Sequence, residues 1–138
     1  MNKKEIIIIA EAGVNHNGSI KTAKKLIDAA HHSGVDYVKF QTFKADEIVT
    51  RSAGKAGYQK KLTDVDESQY QMLKKLELDE SSHYELFEYC REKEMGFLST
   101  AFDNNSIDLL AGMDLDYFKG PSGEITNFPY LKHMGAHN

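Results

Sequence analysis

Four short β-type runs, Glu5 to Ala12, Val35 to Thr42, Gly96 to Phe102 and Leu115 to Gly120, alternate with helical patterns, and each turns polar at its C-terminal end. That alternation predicts an α/β chain with parallel strands joined by right-handed crossovers. The first run is nearly continuous isoleucine, as expected of a parallel strand covered on both faces. Ser19 is placed to cap a helix whose apolar positions are Ile20, Ala23, Leu26, Ile27 and Ala30, and Gly34 follows as a stop signal. Further helices are expected over Ser81 to Glu94, with Tyr84, Phe87 and Cys90 or Arg91 on successive turns, over Asn104 to Ala111, and over Phe128 to Met134. The aromatic residues of the helices are read as core.

One stretch breaks the rhythm. Phe43 to Asp79 is charged, contains Gly54 and Gly57, and holds a helical segment from Glu67 to Leu76. An insertion of that length in a compact domain is usually a functional loop rather than a solvated decoration. A closed (β/α)₈ barrel takes about 250 residues, so a chain of 138 residues is expected to be at most the first half of such a barrel. The alternative, an open doubly wound sheet, usually carries a phosphate loop after its first strand. Gly13 to Gly18 has the outer glycine spacing of one, but Ser19-Ile20 stands where Lys-Ser/Thr is required. Nucleotide binding by this loop is rejected.

A formal charge of −4 offers no basic surface for a nucleic-acid backbone, whereas an anionic small molecule needs only a few local cations. No apolar run approaches the roughly 18 to 20 residues of a membrane span, and Met1 to Ala10 is broken by Glu11 and Asn15 before it can act as a secretory signal. The single Cys90 has no partner for a disulfide. A cytoplasmic protein is the expectation.

Parallel sheets place their sites at the C-terminal strand ends. Those ends hold Glu11, then Asn15-His16-Asn17-Gly18; Lys39-Phe40-Gln41; Ser99-Thr100-Ala101-Phe102-Asp103; and Lys119, then Pro121-Ser122-Gly123-Glu124. Side-chain alternation puts Tyr37, Lys39 and Gln41 on one face of the second strand and Val38 and Phe40 on the other, and groups Lys119 with Tyr117. Lysines on apolar strands are costly unless an anion compensates them. An acidic substrate would do so, and so would Glu11 and Glu124 in ordinary salt bridges. Thr100 and Ser122 tilt the balance, because hydroxyls beside cations suit phosphate or carboxylate oxygens. His16 is read as a structural loop residue with acid–base chemistry as the alternative. The remaining histidines, His31, His32, His83, His133 and His137, are read as lacking a ligand set, and no metal site is expected within the chain.

Six consecutive blocks, Ile9 to Gly18, Val38 to Phe43, Tyr58 to Lys61, Glu67 to Leu78, Phe97 to Asp103 and Phe118 to Asn127, closely resemble the sialic acid synthase (N-acetylneuraminate synthase) family. The resemblance implies a metal-dependent enzyme with a TIM-type barrel that condenses phosphoenolpyruvate with N-acetylmannosamine, giving N-acetylneuraminate and phosphate. By that similarity Lys39, Thr100, Lys119 and Ser122 match residues that hold the donor carboxylate and phosphate. Gln41, Phe102 and Glu124 match sugar-side positions, and Glu11 matches an acidic group near the reacting centre. Synthases for legionaminate or pseudaminate are the near alternative; a non-catalytic anion-binding half-barrel is the distant one. The chain departs from the family pattern at Ala101, where Pro is common, at Gly120, where a branched apolar residue is common, and at Leu62, where Asn is usual. The first two are expected to loosen strand ends, and the third to remove a sugar contact. The resemblance also implies a Mn²⁺ or Mg²⁺ ion whose histidine ligands come from later strands, a C-terminal antifreeze-like domain and a homodimer. The chain is therefore expected to be an inactive N-terminal piece that associates through exposed strand edges.

Overall fold

A computed structural model describes residues 6–51, 53 and 68–137. Three parallel strands carry the fold: β1 (Ile9–Gly13), β2 (Tyr37–Thr42) and β3 (Gly96–Ala101), in the order β1-β2-β3. Pairing runs Ile9 with Tyr37 and Glu11 with Lys39 on one side of β2, and Tyr37 with Gly96 through Thr42 with Ala101 on the other. The register slips between Glu11 and Gly13, where Gly13 takes φ +54°. A glycine tolerates that backbone without strain.

Local chemistry sets the helix starts. Ser19 accepts from the Thr22 N–H at the head of α1 (Ile20–His32). After β2 come α2 (Ala45–Ile48) and α3 (Gln69–Leu76), the latter opened by a reciprocal capping box of Ser68 and Gln71. Asp79 caps α4 (Glu80–Glu92), and the hydrogen bonds from Ser82 and Ser81 hold its carboxyl down at about 2. Asp103 caps α5 (Asn104–Ala111), and Asn127 caps α6 (Phe128–Gly135), whose second residue is Pro129. The helices expected from periodicity are all present; α2 was not expected. Gly54, Gly57, Glu67 and the block Tyr58 to Lys61, with Leu62, lie outside the described residues.

The core lies between the sheet and its helices. Ala23 and Ile27 of α1, Leu86 and Cys90 of α4, and Ile107 and Leu110 of α5 pack with Val38, Phe40, Phe97 and Ala101. Phe40 stacks on Phe97 at 5.7 Å between centroids, and Phe87 meets Phe97 edge-on. Each fully buried Leu or Phe contributes on the order of 1.5–3 kcal/mol. On α4 the inward stripe is His83, Leu86 and Cys90. The expectation of Tyr84 as core is corrected, since Tyr84 is 39% exposed; a helix fixes its buried face by what it packs on, and Leu86 outcompetes its neighbours.

Two strand expectations are also corrected. The isoleucine run is not covered on both faces: Ile6 is 87% exposed, and Ile7, Ile8 and Ile9 remain exposed. They border or belong to a strand that, among the described residues, pairs on one side only. Leu115 to Gly120 does not form a fourth strand, and its pairing reduces to a single parallel bridge between Thr100 and Lys119. Asp114 turns the chain at φ +52° just before the segment, and Asp116 is held by the Tyr37 hydroxyl, so the segment meets β3 only at Lys119. The loosening expected at Ala101 does not occur, because the register continues through Thr42 and Ala101 and the Phe102 N–H donates to the Thr42 carbonyl at 3.0 Å. No described helix is long and apolar enough to cross a membrane.

Candidate active site at the strand ends

The alternation of β2 decides which side chains meet. Val38, Phe40 and Thr42 are buried on the helix side, while Tyr37, Lys39 and Gln41 are half-buried on the other. The Lys39 ammonium pairs with the Glu11 carboxylate and donates to Thr100 Oγ1 at 3.2 Å. Its side chain is only 16% exposed, against 51% for Glu11. Thr100 stands level with Gln41 across the ladder and bridges to Lys119 on its other side. Lys39 and Lys119 thus flank Thr100, the first through its side chain and the second through its backbone. The Lys119 ammonium is exposed and folds onto the Gly120 carbonyl.

Beside this row lies a cavity of about 590 Å³ lined by Gln41, Phe102 and Glu124 together with residues from other elements. Gly13 links cavity and row. A Cβ built there would lie 3.1 Å from Glu11 Oε1 and 3.6 Å from Gln41 Nε2, so the carboxylate and the amide converge on the same backbone turn. Of the eight residues expected at a site, Glu11, Lys39 and Thr100 form one bonded group and Gln41, Phe102 and Glu124 share the cavity. Lys119 adjoins the first group through backbone pairing. Ser122 is exposed at the head of a 3₁₀ turn (Ser122–Glu124) and belongs to neither group.

Several lining residues escaped sequence reasoning. Glu47 and Ile48 of α2 and Gln69 and Leu73 of α3 wall the cavity, so the insertion after β2 builds the site. Asp46 ties the two helices by accepting from Tyr70 Oη at 2.8 Å and Lys74 Nζ at 3.0 Å. Gly18 packs under α3, where a Cβ would come within 2.2 Å of the Lys75 carbonyl oxygen. Asp103 joins the loops after β2 and β3: its Oδ2 accepts from the Lys44 N–H and the Ser106 hydroxyl, both at 2.8 Å. Asn127 donates to Glu124, and Tyr130 donates to the Ala101 carbonyl at 2.8 Å. Burial, reinforced by the negative charges of Glu124 and Asp103, pushes the Tyr130 phenol up to about 12, so it stays a neutral donor. The sequence shows Asp103 only as a strand-end residue and Asn127 only as the end of a sequence block; their capping roles and their place at the cavity come from the structure.

His16 is fully buried, and its Nδ1 accepts from the Gly18 N–H at 3.0 Å, which leaves the proton on Nε2. Burial, with His83 nearby, lowers its pKa, so it is a neutral brace of the loop. On the helix side Thr42 Oγ1 lies 2.6 Å from Ser99 Oγ and 2.8 Å from His83 Nε2, while His83 Nδ1 donates to the Asp79 carbonyl at 2.8 Å. The reading of the histidines as lacking a ligand set is corrected at His133 and His137. They stand four apart, and both meet Asp108.

Among the described residues no three carboxylate or imidazole groups converge at the strand ends. Glu11 there is committed to Lys39, and His16 is enclosed. The residues present do not by themselves make a site for the divalent ion that the family resemblance implies, and no step below passes through it.

A model of the NeuB family matches residues 26–138. An N,N'-diacetyllegionaminic acid synthase of Campylobacter jejuni is 55% identical over 98% of this chain and 40% of its own length. A synthase of the same name from Legionella pneumophila is 54% identical over 94% of the chain and 36% of its own length. The crystal structure of an N-acetylneuraminic acid synthetase from Leptospira borgpetersenii shares the fold, with a TM-score of 0.76 at 21% identity over 99% of this chain and 46% of that one. The chain therefore spans less than half the length of these relatives. Identity at this level across nearly the whole chain leaves one assignment: the chain belongs to the NeuB family.

Proposed function

We propose that this chain forms the donor-binding part of a nonulosonic acid synthase of the legionaminate type, with phosphoenolpyruvate as donor and a diacetylated amino sugar as acceptor. The observation that carries the reading is the 55% identity to an N,N'-diacetyllegionaminic acid synthase. It favours legionaminate over the N-acetylneuraminate expected from the motifs alone.

In this reading Lys39, Thr100 and Lys119 neutralise and orient the carboxylate and phosphate of the donor, with Ser122 reaching it from the 3₁₀ turn. An incoming anion exchanges with Glu11 for the Lys39 ammonium, and Glu11, half-exposed, turns to solvent in return. Gln41, Phe102 and Glu124 hold the sugar in the cavity, where the apolar walls Phe43, Ile48 and Leu73 suit acetamido methyl groups. The enol carbon of the donor bonds to the sugar aldehyde carbon, water adds to the resulting oxocarbenium-like carbon, and phosphate departs with cleavage of its C–O bond. Fixed cations raise the rate by holding the charge that moves onto the leaving phosphate.

Phosphate release from phosphoenolpyruvate by the protein containing this chain, assayed with a panel of mono- and diacetamido sugars, tests the assignment. Preference for a diacetamido sugar by at least tenfold in kcat/KM is expected. Preference for N-acetylmannosamine would return the sugar to the sialic acid class.

A further inference from the structure

Away from the strand ends, three ligand-type side chains converge between α5 and α6. His133 lies in the last turn of α6 and His137 just beyond it, and their spacing puts both on one face. Asp108 faces them from α5. The Nε2 atoms of His133 and His137 stand 2.7 and 2.9 Å from the same oxygen, Asp108 Oδ1, and one ligand atom from each residue falls within 4.8 Å of the others. The two imidazoles meet edge-on at 5.2 Å between centroids, and Phe118 stands 6.4 Å from His137 as an apolar wall.

We propose that Asp108, His133 and His137 form a binding site for a borderline divalent cation of the Zn²⁺ class, which clamps α5 to α6. Two imidazole nitrogens and one carboxylate oxygen are a zinc-type donor set, while Mg²⁺ and Mn²⁺ prefer oxygen ligands. Tetrahedral Zn²⁺ at about 2.0–2.2 Å from each ligand holds those ligands roughly 3.3–3.6 Å apart. The two N···O separations, 2.7 and 2.9 Å, are shorter than that spacing, so coordination requires the side chains to part by under about 1 Å and each imidazole to carry its proton on Nδ1, freeing the Nε2 lone pair for the ion. The three side chains are 52%, 34% and 30% exposed, in the order Asp108, His133, His137, which lets the ion enter from solvent and leaves a position for water.

The two helices begin at the cavity, with Asn104 opening α5 and Asn127 capping α6, and both residues line its wall. A cation bound between Asp108, midway along α5, and the C-terminal end of α6 fixes the spacing of two cavity walls without touching substrate. The site thus uses none of the residues assigned to the donor or lining the cavity.

Calorimetric titration with ZnCl₂, paired with thermal melts, tests the site. Saturable binding that includes one site dependent on Asp108, His133 and His137 is expected, with a rise in Tm of several degrees that MgCl₂ at the same concentration does not reproduce. Asp108→Asn, His133→Ala and His137→Ala should each weaken that site at least tenfold, whereas a His31→Ala, His32→Ala control should not. All three ligands are at the surface, so melts without metal will show these variants folded. With Co²⁺ as the probe, a visible absorption band should appear and vanish in each ligand variant. Absence of saturable Zn²⁺ binding, or affinity unchanged in His133→Ala, overturns the proposal.

Discussion

On β2, residues 38, 40 and 42 are sealed beneath the helices, while the interleaved 37, 39 and 41 keep a partly open face, and the two faces handle polar groups in opposite ways. On the helix side the bonds close on one another. His83 gives its Nδ1 proton to the Asp79 carbonyl, so its Nε2 accepts from the Thr42 hydroxyl, and Thr42 in turn accepts from Ser99. That chain is neutral and ends in backbone, leaving nothing for a ligand to replace. On the other face Lys39 is charged, and its ionic partner Glu11 is half in solvent. A buried polar group that is satisfied internally marks structure; a shielded charge whose partner can be exchanged marks a binding position.

The largest effect should separate the faces directly. Phe40→Ala empties a fully buried position in the aromatic stack and should cost about 3–5 kcal/mol of stability, read as a lower urea midpoint. Lys39→Met should lose phosphoenolpyruvate binding in calorimetry while changing stability by no more than about 1 kcal/mol, since the Glu11 it leaves behind is solvated. Equal destabilisation by the two variants would abolish the distinction.

Thr42→Val should cost about 1–3 kcal/mol, because it strands both Ser99 and His83. A loss below about half a kcal/mol in the same denaturation assay would mean that the helix-side network is ornamental.

A pH series sharpens the same contrast. Burial lowers the pKa of His83, and of His16, below the ordinary 6.5. The unfolded chain therefore binds more protons than the folded one at mildly acid pH. The stability contribution is complete above pH 6.5 and is lost as the pH falls from there toward the depressed native values. His83→Gln should flatten that slope in urea midpoints measured between pH 7.5 and pH 5, expressed as roughly one proton fewer taken up on unfolding.

The smallest effect is expected at Gly120. A Cβ there would stand 3.6 Å from Tyr130 Cε1 and 3.7 Å from Met134 Cε, ordinary contact distances. Gly120→Ala should be neutral or stabilising by about 0.4–1 kcal/mol in thermal melts. Gly96→Ala is the counter-case, since its Cβ would fall 2.1 Å from the Tyr37 ring and must displace it.

Much of this was legible one residue at a time. Ser19, the one cap read from the sequence, acts through a hydrogen bond to the N–H three residues on; Asp79 and Asp103 cap in the same local way but went unread. Period-two alternation likewise placed Lys39 with Gln41. Leu115 to Gly120 was misread because strand formation needs a neighbour, and a run of suitable residues cannot supply one. Glu47, Gln69 and Leu73 were missed for the related reason that α2 and α3 reach the cavity only through their tertiary placement. The spacing of His133 and His137 was in plain view, yet it acquires meaning only when α5 brings Asp108 alongside.

The sequence by itself determined the alternation of strand and helix, the helix ends, the family and the set of polar residues at the strand ends, all of which depend on interactions within a few residues or on motif identity. Only the tertiary structure decided which of those residues touch: that Lys39 bonds to Thr100 and Glu11 while Ser122 stands apart, that Leu86 rather than Tyr84 enters the core, and that the insertion walls the cavity. Such contacts join segments distant along the chain, and their free energy is set by mutual burial and geometry, which no local pattern encodes.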